Sequence, residues 1–97
     1  MFFNKDRITV VCIANYCRSP VAEYALKKRY ENKFDIFSAG ISPLPESNMD
    51  TRSSKFLEKN NIDFGIHNPK KLTESFIKKS RIVFAMDLKV LLYLNKK

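Results

Sequence analysis

Residues 12–19, CIANYCRS, gather the side chains of this 97-residue chain that could do chemistry. Cys12 and Cys17 bracket four residues, and Arg18, Ser19 and Pro20 follow at once. A metal site, a disulfide, or a nucleophile set in an anion cradle could each use such a run. Structural zinc needs about four ligands, and the chain offers two cysteines and one histidine, His67. No metal is expected on that count. Two cysteines are too few for a secreted disulfide framework. Either cysteine alone would be read as a packed apolar filler.

The setting of Cys12 argues for more. It closes an apolar run, and the loop after it leads into a helix. Backbone N–H groups at a helix N-terminus are unpaired and form a ready anion site. Arg18 adds a planar, permanently charged fork that matches two phosphate oxygens. The same positive field favours a thiolate. A nucleophile would then sit at the base of a phosphate cradle. Ser19 can hydrogen-bond the sulfur and ease its departure as a leaving group.

The surrounding pattern must position that loop. RITVVCIA (7–14) is apolar and β-branched, as in a buried strand. SPVAEYALKKRYENK (19–33) reads as a helix, with Ser19 suited to cap it and Pro20 to its first position. Val21, Ala22, Ala25 and Leu26 share one face, and basic residues gather at its end. FDIFSAG (34–40) is a second strand, and ISPLPESN (41–48) a proline-broken loop. TRSSKFLEKNN (51–61) is a helix opened by Asp50, with Phe56 and Leu57 facing inward. IDFGIHNPKKL is a connection; TESFIKKS is a short helix capped by Thr73. RIVFAM (81–86) is a third strand, and DLKVLLYLNKK a last helix with Asp87 near its start. This alternation predicts an α/β fold, a parallel sheet flanked by helices. Such sheets carry sites beyond the carboxyl ends of their strands, where Cys12 falls.

Length predicts one domain over residues 1–97. The net charge of +8 favours acidic partners such as phosphates, nucleic acids or acidic proteins, or simply a solvated basic surface. No nucleic-acid-binding motif accompanies it, so nucleic acid is not the expected partner. No apolar run is long enough to cross a bilayer. The N-terminus lacks signal-peptide order, so cytoplasm is the expected location.

VCIANYCRSPVAE (11–23) resembles the signature of the low-molecular-weight protein tyrosine phosphatase family. The resemblance continues in order through SAG (38–40), DTR (50–52), NNIDFGIH (60–67) and AMD (85–87). It implies a flavodoxin-like α/β fold, no cofactor, and a phosphomonoester substrate, a phosphotyrosine protein or a small molecule. Cys12 would attack phosphorus and form a cysteinyl-phosphate, and Arg18 would grip the equatorial oxygens. Backbone amides of Ile13, Ala14, Asn15, Tyr16, Cys17 and Arg18 would complete the cradle. Asn15, Ser19, Ser38 and His67 match a network that holds the loop. Cys17 matches a cysteine that can trap Cys12 as a reversible disulfide; a small apolar filler is the competing reading.

Three departures accompany the resemblance. Ala14 stands where the family has glycine, which suits close anion approach and unusual dihedrals. The 41–48 loop has no aromatic residue to form a wall for a phosphotyrosine ring, and Ile13 and Tyr16 would supply part of one. Asp6, Asp35, Asp50, Asp63 and Asp87 do not precede proline, so the family's aspartate-proline general acid has no match before Lys97. Asp87 matches the MD position, which is not that acid. The expectation is a fold without the family's last strand and helix, with RIVFAM as an edge and self-association through it. Activity would be weakened by the missing acid, worth about 10²–10⁴-fold. A catalytically silent phosphate- or phosphoprotein-binding module is the competing function. Arsenate reduction is disfavoured because no cysteine follows Cys17.

Overall fold

The structure is a computed structural model, and it describes residues 5–16, 18–42 and 49–96. Seven elements follow in the expected order: β1 (Asp6–Cys12), α1 (Arg18–Tyr30), β2 (Phe34–Gly40), α2 (Thr51–Lys59), α3 (Glu74–Lys79), β3 (Ser80–Ala85) and α4 (Leu88–Asn95). The strands form a sheet of order β2-β1-β3. Both pairings are parallel, as the alternation of strands and helices requires. Two local signals read from the sequence hold: Thr73 accepts from the Phe76 N–H, and Asp87 from the Val90 N–H.

Side chains alternate across the sheet. Val11 and Ala39 point to one face, where they pack with Leu72 and Val90 of α4. Phe76 and Ile77 of α3 and Val83 and Ala85 of β3 close around them. Cys12 and Ser38 point to the other face, under α1. The register sets Cys12 opposite Gly40 at the carboxyl ends of β1 and β2.

Three packing expectations change. α1 begins at Arg18, so Ser19 is a helical residue whose hydroxyl serves the loop, not the helix end. Pro20 is still harmless there, because first-turn N–H groups have no intrahelical partner. The buried side of α1 carries Ser19, Pro20, Glu23 and Tyr24, while Val21, Ala22, Ala25 and Leu26 are only half-buried. A polar network occupies the most enclosed side of the helix. On α2, Ser53 and Leu57, one turn apart, are buried, and Phe56 is turned outward at 52% exposure.

Among the described residues β3 has a strand on one side only. Ile82 and Phe84 pair with Ile8 and Val10 in the register, so they continue the α1 face of the sheet. α1 packs over β1 and β2, and Ile82 and Phe84 are left exposed. Of the loop at 41–48, residues 43–48 lie outside the described residues.

Candidate active site

β1 delivers Cys12 to the floor of the loop, where it is 2% exposed. The chain then bends through residues 13–16 and enters α1. Asn15 has φ 52°, in the left-handed region. Asparagine tolerates that conformation better than most residues. The turn aims the Asn15 N–H back at Cys12 Sγ, 3.1 Å away. Ser19 Oγ lies 2.9 Å from the same sulfur.

The direction of these hydrogen bonds follows from one anchor. Asn15 Oδ1 accepts from the Lys70 backbone N–H at 2.8 Å, which fixes the amide orientation. Asn15 Nδ2 must then donate, and it reaches Ser19 Oγ and Ser38 Oγ, each at 2.8 Å. Each serine hydroxyl therefore accepts from Asn15 and has its own proton free for another acceptor. Ser38 gives its proton to a Glu23 carboxylate oxygen. Ser19 is left with its proton available to Cys12 Sγ, the arrangement that suits a thiolate.

His67 closes the other side. It is 2% exposed, and Nε2 donates to the Asn15 carbonyl at 2.9 Å. Nδ1 then accepts from the Tyr24 hydroxyl at 3.0 Å. Burial lowers the His67 pKa below 6.5, against an opposing pull from the Asn15 carbonyl. Burial, and then the Glu23 charge, raise the Tyr24 pKa to about 12, so its hydroxyl stays a donor. Both shifts support a neutral imidazole carrying its proton on Nε2. Folding therefore disfavours His67 protonation, and the sign follows. Stability from this group is complete above the unfolded value near 6.5 and declines as pH falls below it. Thermal melts from about pH 7 to about pH 5 are expected to drop more steeply in the wild type than in His67→Gln. Equal slopes would show that His67 is not held neutral.

Arg18 is the first residue of α1 and is exposed. Its Nη2 pairs with Asp87 Oδ2 at 2.8 Å. Asp87 also caps α4, and the Val90 N–H first, then Arg18, lower its pKa. An ionised Asp87 orients the arginine and has no proton to donate at neutral pH. Ala14 is outside the positive-φ region, which among the described non-glycine residues holds Asn15 and Asn61. Alanine at 14 therefore carries no dihedral cost. The glycine that close approach demands is Gly40: a Cβ there would meet Asn15 N and Ile13 O at 2.8 Å. Ile13 is exposed and Tyr16 half-buried, and the Tyr16 carbonyl accepts from the Asp50 N–H at 3.0 Å.

The structure thus brings together Cys12, Asn15, Ser19, Ser38 and His67, with Arg18 at the start of α1. Cys17 lies outside the described residues, so its amide and its thiol enter no geometry. Sequence reasoning missed Glu23, Tyr24 and the Lys70 amide, and gave Asp87 no role at the arginine. The spacing of Ser19 and Glu23, one turn apart, could have pointed to Glu23. Among the described residues, no group of three or more His, Cys, Asp and Glu side chains could hold a metal ion.

Residues 7–96 match the family model described as low molecular weight phosphotyrosine protein phosphatase. The chain belongs to that family. It is 40% identical over 80 residues to the low molecular weight protein-tyrosine-phosphatase Ptp of Acinetobacter johnsonii, covering 82% of this chain and 56% of that protein. It spans a little over half the length of the curated relatives it matches. Among solved structures it resembles Wzb of Vibrio vulnificus in complex with benzylphosphonate, at TM-score 0.86 and 27% identity over 96% of this chain and 66% of that one. It also resembles the YwlE arginine phosphatase mutant with a phosphorylated active site serine, at TM-score 0.85 and 26% identity over 93% of this chain and 60% of that one.

Proposed function

We propose that the chain is a phosphomonoester hydrolase of protein tyrosine phosphatase type, acting through a cysteinyl-phosphate on the loop Cys12–Ser19. One observation carries this reading: Cys12 Sγ sits at the base of the loop and accepts from the Asn15 N–H and the Ser19 hydroxyl. Those two donors stabilise sulfur as an anion both before attack and as a leaving group. In the first step Cys12 Sγ bonds to phosphorus and the ester oxygen leaves with its electron pair. Arg18 and the backbone amides of Ile13, Ala14, Asn15, Tyr16, Cys17 and Arg18 hold the equatorial oxygens. In the second step water attacks phosphorus and the thiolate departs, assisted by the Ser19 proton. Cys17 is the candidate redox guard of the nucleophile.

The substrate class is an aromatic phosphomonoester, phosphotyrosine in a protein or a small analogue, with Ile13 and Tyr16 forming part of the ring's wall. Support comes from the benzylphosphonate held by Wzb, which shares a ring and a tetrahedral phosphorus with phosphotyrosine. A single domain over residues 1–97 and a cytoplasmic location belong to the same reading. Among the described residues no helix is long and apolar enough to cross a membrane.

The test is hydrolysis of para-nitrophenyl phosphate, whose good leaving group asks little of a general acid. Turnover with saturable inhibition by inorganic phosphate is expected. Phosphate binding without turnover would replace the enzyme with a silent binding module.

Self-association through β3 is the finer proposal about partners. Among the described residues β3 is paired on one side only, and its open edge beside exposed Ile82 and Phe84 is a template for a second copy. Light scattering across a concentration series is expected to show mass rising above one chain, and Phe84→Lys to lower it. A concentration-independent monomer would end this proposal.

A further inference from the structure

Glu23 is the one buried carboxylate among the described residues, at 2% exposure, and the mechanism above assigns it no task. Ser19, Glu23 and Lys27 recur every four residues on α1, so they share a face. One Glu23 oxygen accepts from the Ser38 hydroxyl. The other accepts from Lys27 Nζ at 2.6 Å, and Lys27 is 39% exposed. The Glu23 charge also raises the pKa of Tyr24 and of His67.

The bond directions make position 23 demanding. Asn15 Nδ2 donates to Ser38, so the Ser38 proton must go elsewhere, and Glu23 takes it. Lys27 presents a second donor to the same side chain. Position 23 therefore needs an acceptor at both ends, which a carboxylate supplies and an amide does not. A glutamine with its oxygen on Lys27 would turn its NH₂ on Ser38, and with its oxygen on Ser38 would turn its NH₂ on the ammonium. Either way one donor in a buried site is left without an acceptor.

We propose that Glu23 is a positioning residue for the phosphate loop: as a double acceptor between Lys27 and Ser38, it makes Ser38 a one-way link that holds Asn15 in its left-handed turn and its N–H on Cys12. The proposal rests on reading that loop as the phosphate site. Its range is long for a surface lysine. The chain of bonds runs Lys27, Glu23, Ser38, Asn15 and on to Cys12.

The test compares Glu23→Gln with the double variant Glu23→Gln/Lys27→Met. In the double variant the glutamine oxygen is free to accept from Ser38 while its NH₂ turns to the vacated, partly exposed side. Two rates are read: kcat for para-nitrophenyl phosphate, and alkylation of Cys12 by iodoacetamide, located by tandem mass spectrometry. Glu23→Gln is expected to slow both by about tenfold, the effect of one buried donor left without an acceptor. The double variant is expected to recover most of the loss. An unchanged single variant overturns the proposal. So does a double variant as slow as the single, since Glu23 would then act through its charge or its packing. If Glu23→Gln does not fold, Ser38→Ala breaks the same link, and unchanged alkylation there overturns the proposal too. Wild type without turnover, but with the alkylation pattern intact, sinks the phosphatase reading and supports the positioning role.

Discussion

Cys12→Ser is expected to abolish hydrolysis of para-nitrophenyl phosphate, by at least about 10³-fold in kcat. Among the described residues, the hydrogen-bonding groups on Cys12 Sγ are the Asn15 N–H and the Ser19 hydroxyl. Both are donors, and donors stabilise an anion that already exists. A serine hydroxyl at neutral pH is not an anion, and neither contact can take its proton. Sulfur in the same place is the acceptor those donors suit, and the proposed attack uses it as thiolate. The substitution leaves the loop backbone and Arg18 in place, so phosphate binding should persist while turnover is lost. Parallel measurement of kcat and of phosphate affinity by titration separates the two. Turnover retained in the variant would mean that the introduced hydroxyl or another group attacks phosphorus.

Gly40→Ala is the second large effect, and it acts without touching substrate. An added Cβ would lie 2.8 Å from Asn15 N, 2.8 Å from Ile13 O and 2.9 Å from Ala14 C. All three are backbone atoms of the loop after β1, so no side chain can swing aside. Gly40 cannot retreat either. Its N–H donates to the Lys70 carbonyl at 2.7 Å, and its carbonyl accepts from the Leu72 N–H at 2.8 Å. The loop must give way. Overpacking of this kind costs about 1–3 kcal/mol. A misplacement near 1 Å can cost about 10²-fold in rate. A lower melting temperature is expected together with a fall in kcat of about 10–100-fold. Wild-type kcat in a folded variant would show that the loop's position against β2 is not critical.

The two variants probe different kinds of legibility. Cys12, Arg18 and Ser19 announce themselves locally, because a thiol, a guanidinium and a helix start must be close in sequence to share one loop. The alternation of strands and helices is equally local, and so are the Thr73 and Asp87 caps, each a side chain reaching three residues ahead. Gly40 looked like the end of a strand. Its pressure against Ile13 and Asn15 exists only because β1 and β2 pair in register to bring Cys12 opposite it.

Phe56 and the apolar stripe of α1 mark the limit of helical periodicity. Spacing shows which residues share a face, but the rest of the fold selects the face that is buried. On α1 the most enclosed positions went to Ser19, Glu23 and Tyr24, because Cys12, Ser38 and His67 offered partners there. On α2 they went to Ser53 and Leu57.

By itself the sequence determined the order of elements, the parallel sheet and the placing of Cys12 where a strand hands over to a helix. Those follow from local propensity, capping and the spacing of apolar residues. Only the tertiary structure decided the direction of each hydrogen bond around the sulfur. That direction is set by the Lys70 amide on Asn15, the Glu23 carboxylate on Ser38 and the His67 ring on the Asn15 carbonyl. These are contacts between residues far apart in the chain, brought together by packing, and no period in the sequence encodes them. The pairing of Arg18 with Asp87 has the same origin, since it needs α4 to begin beside α1 at the carboxyl end of the sheet.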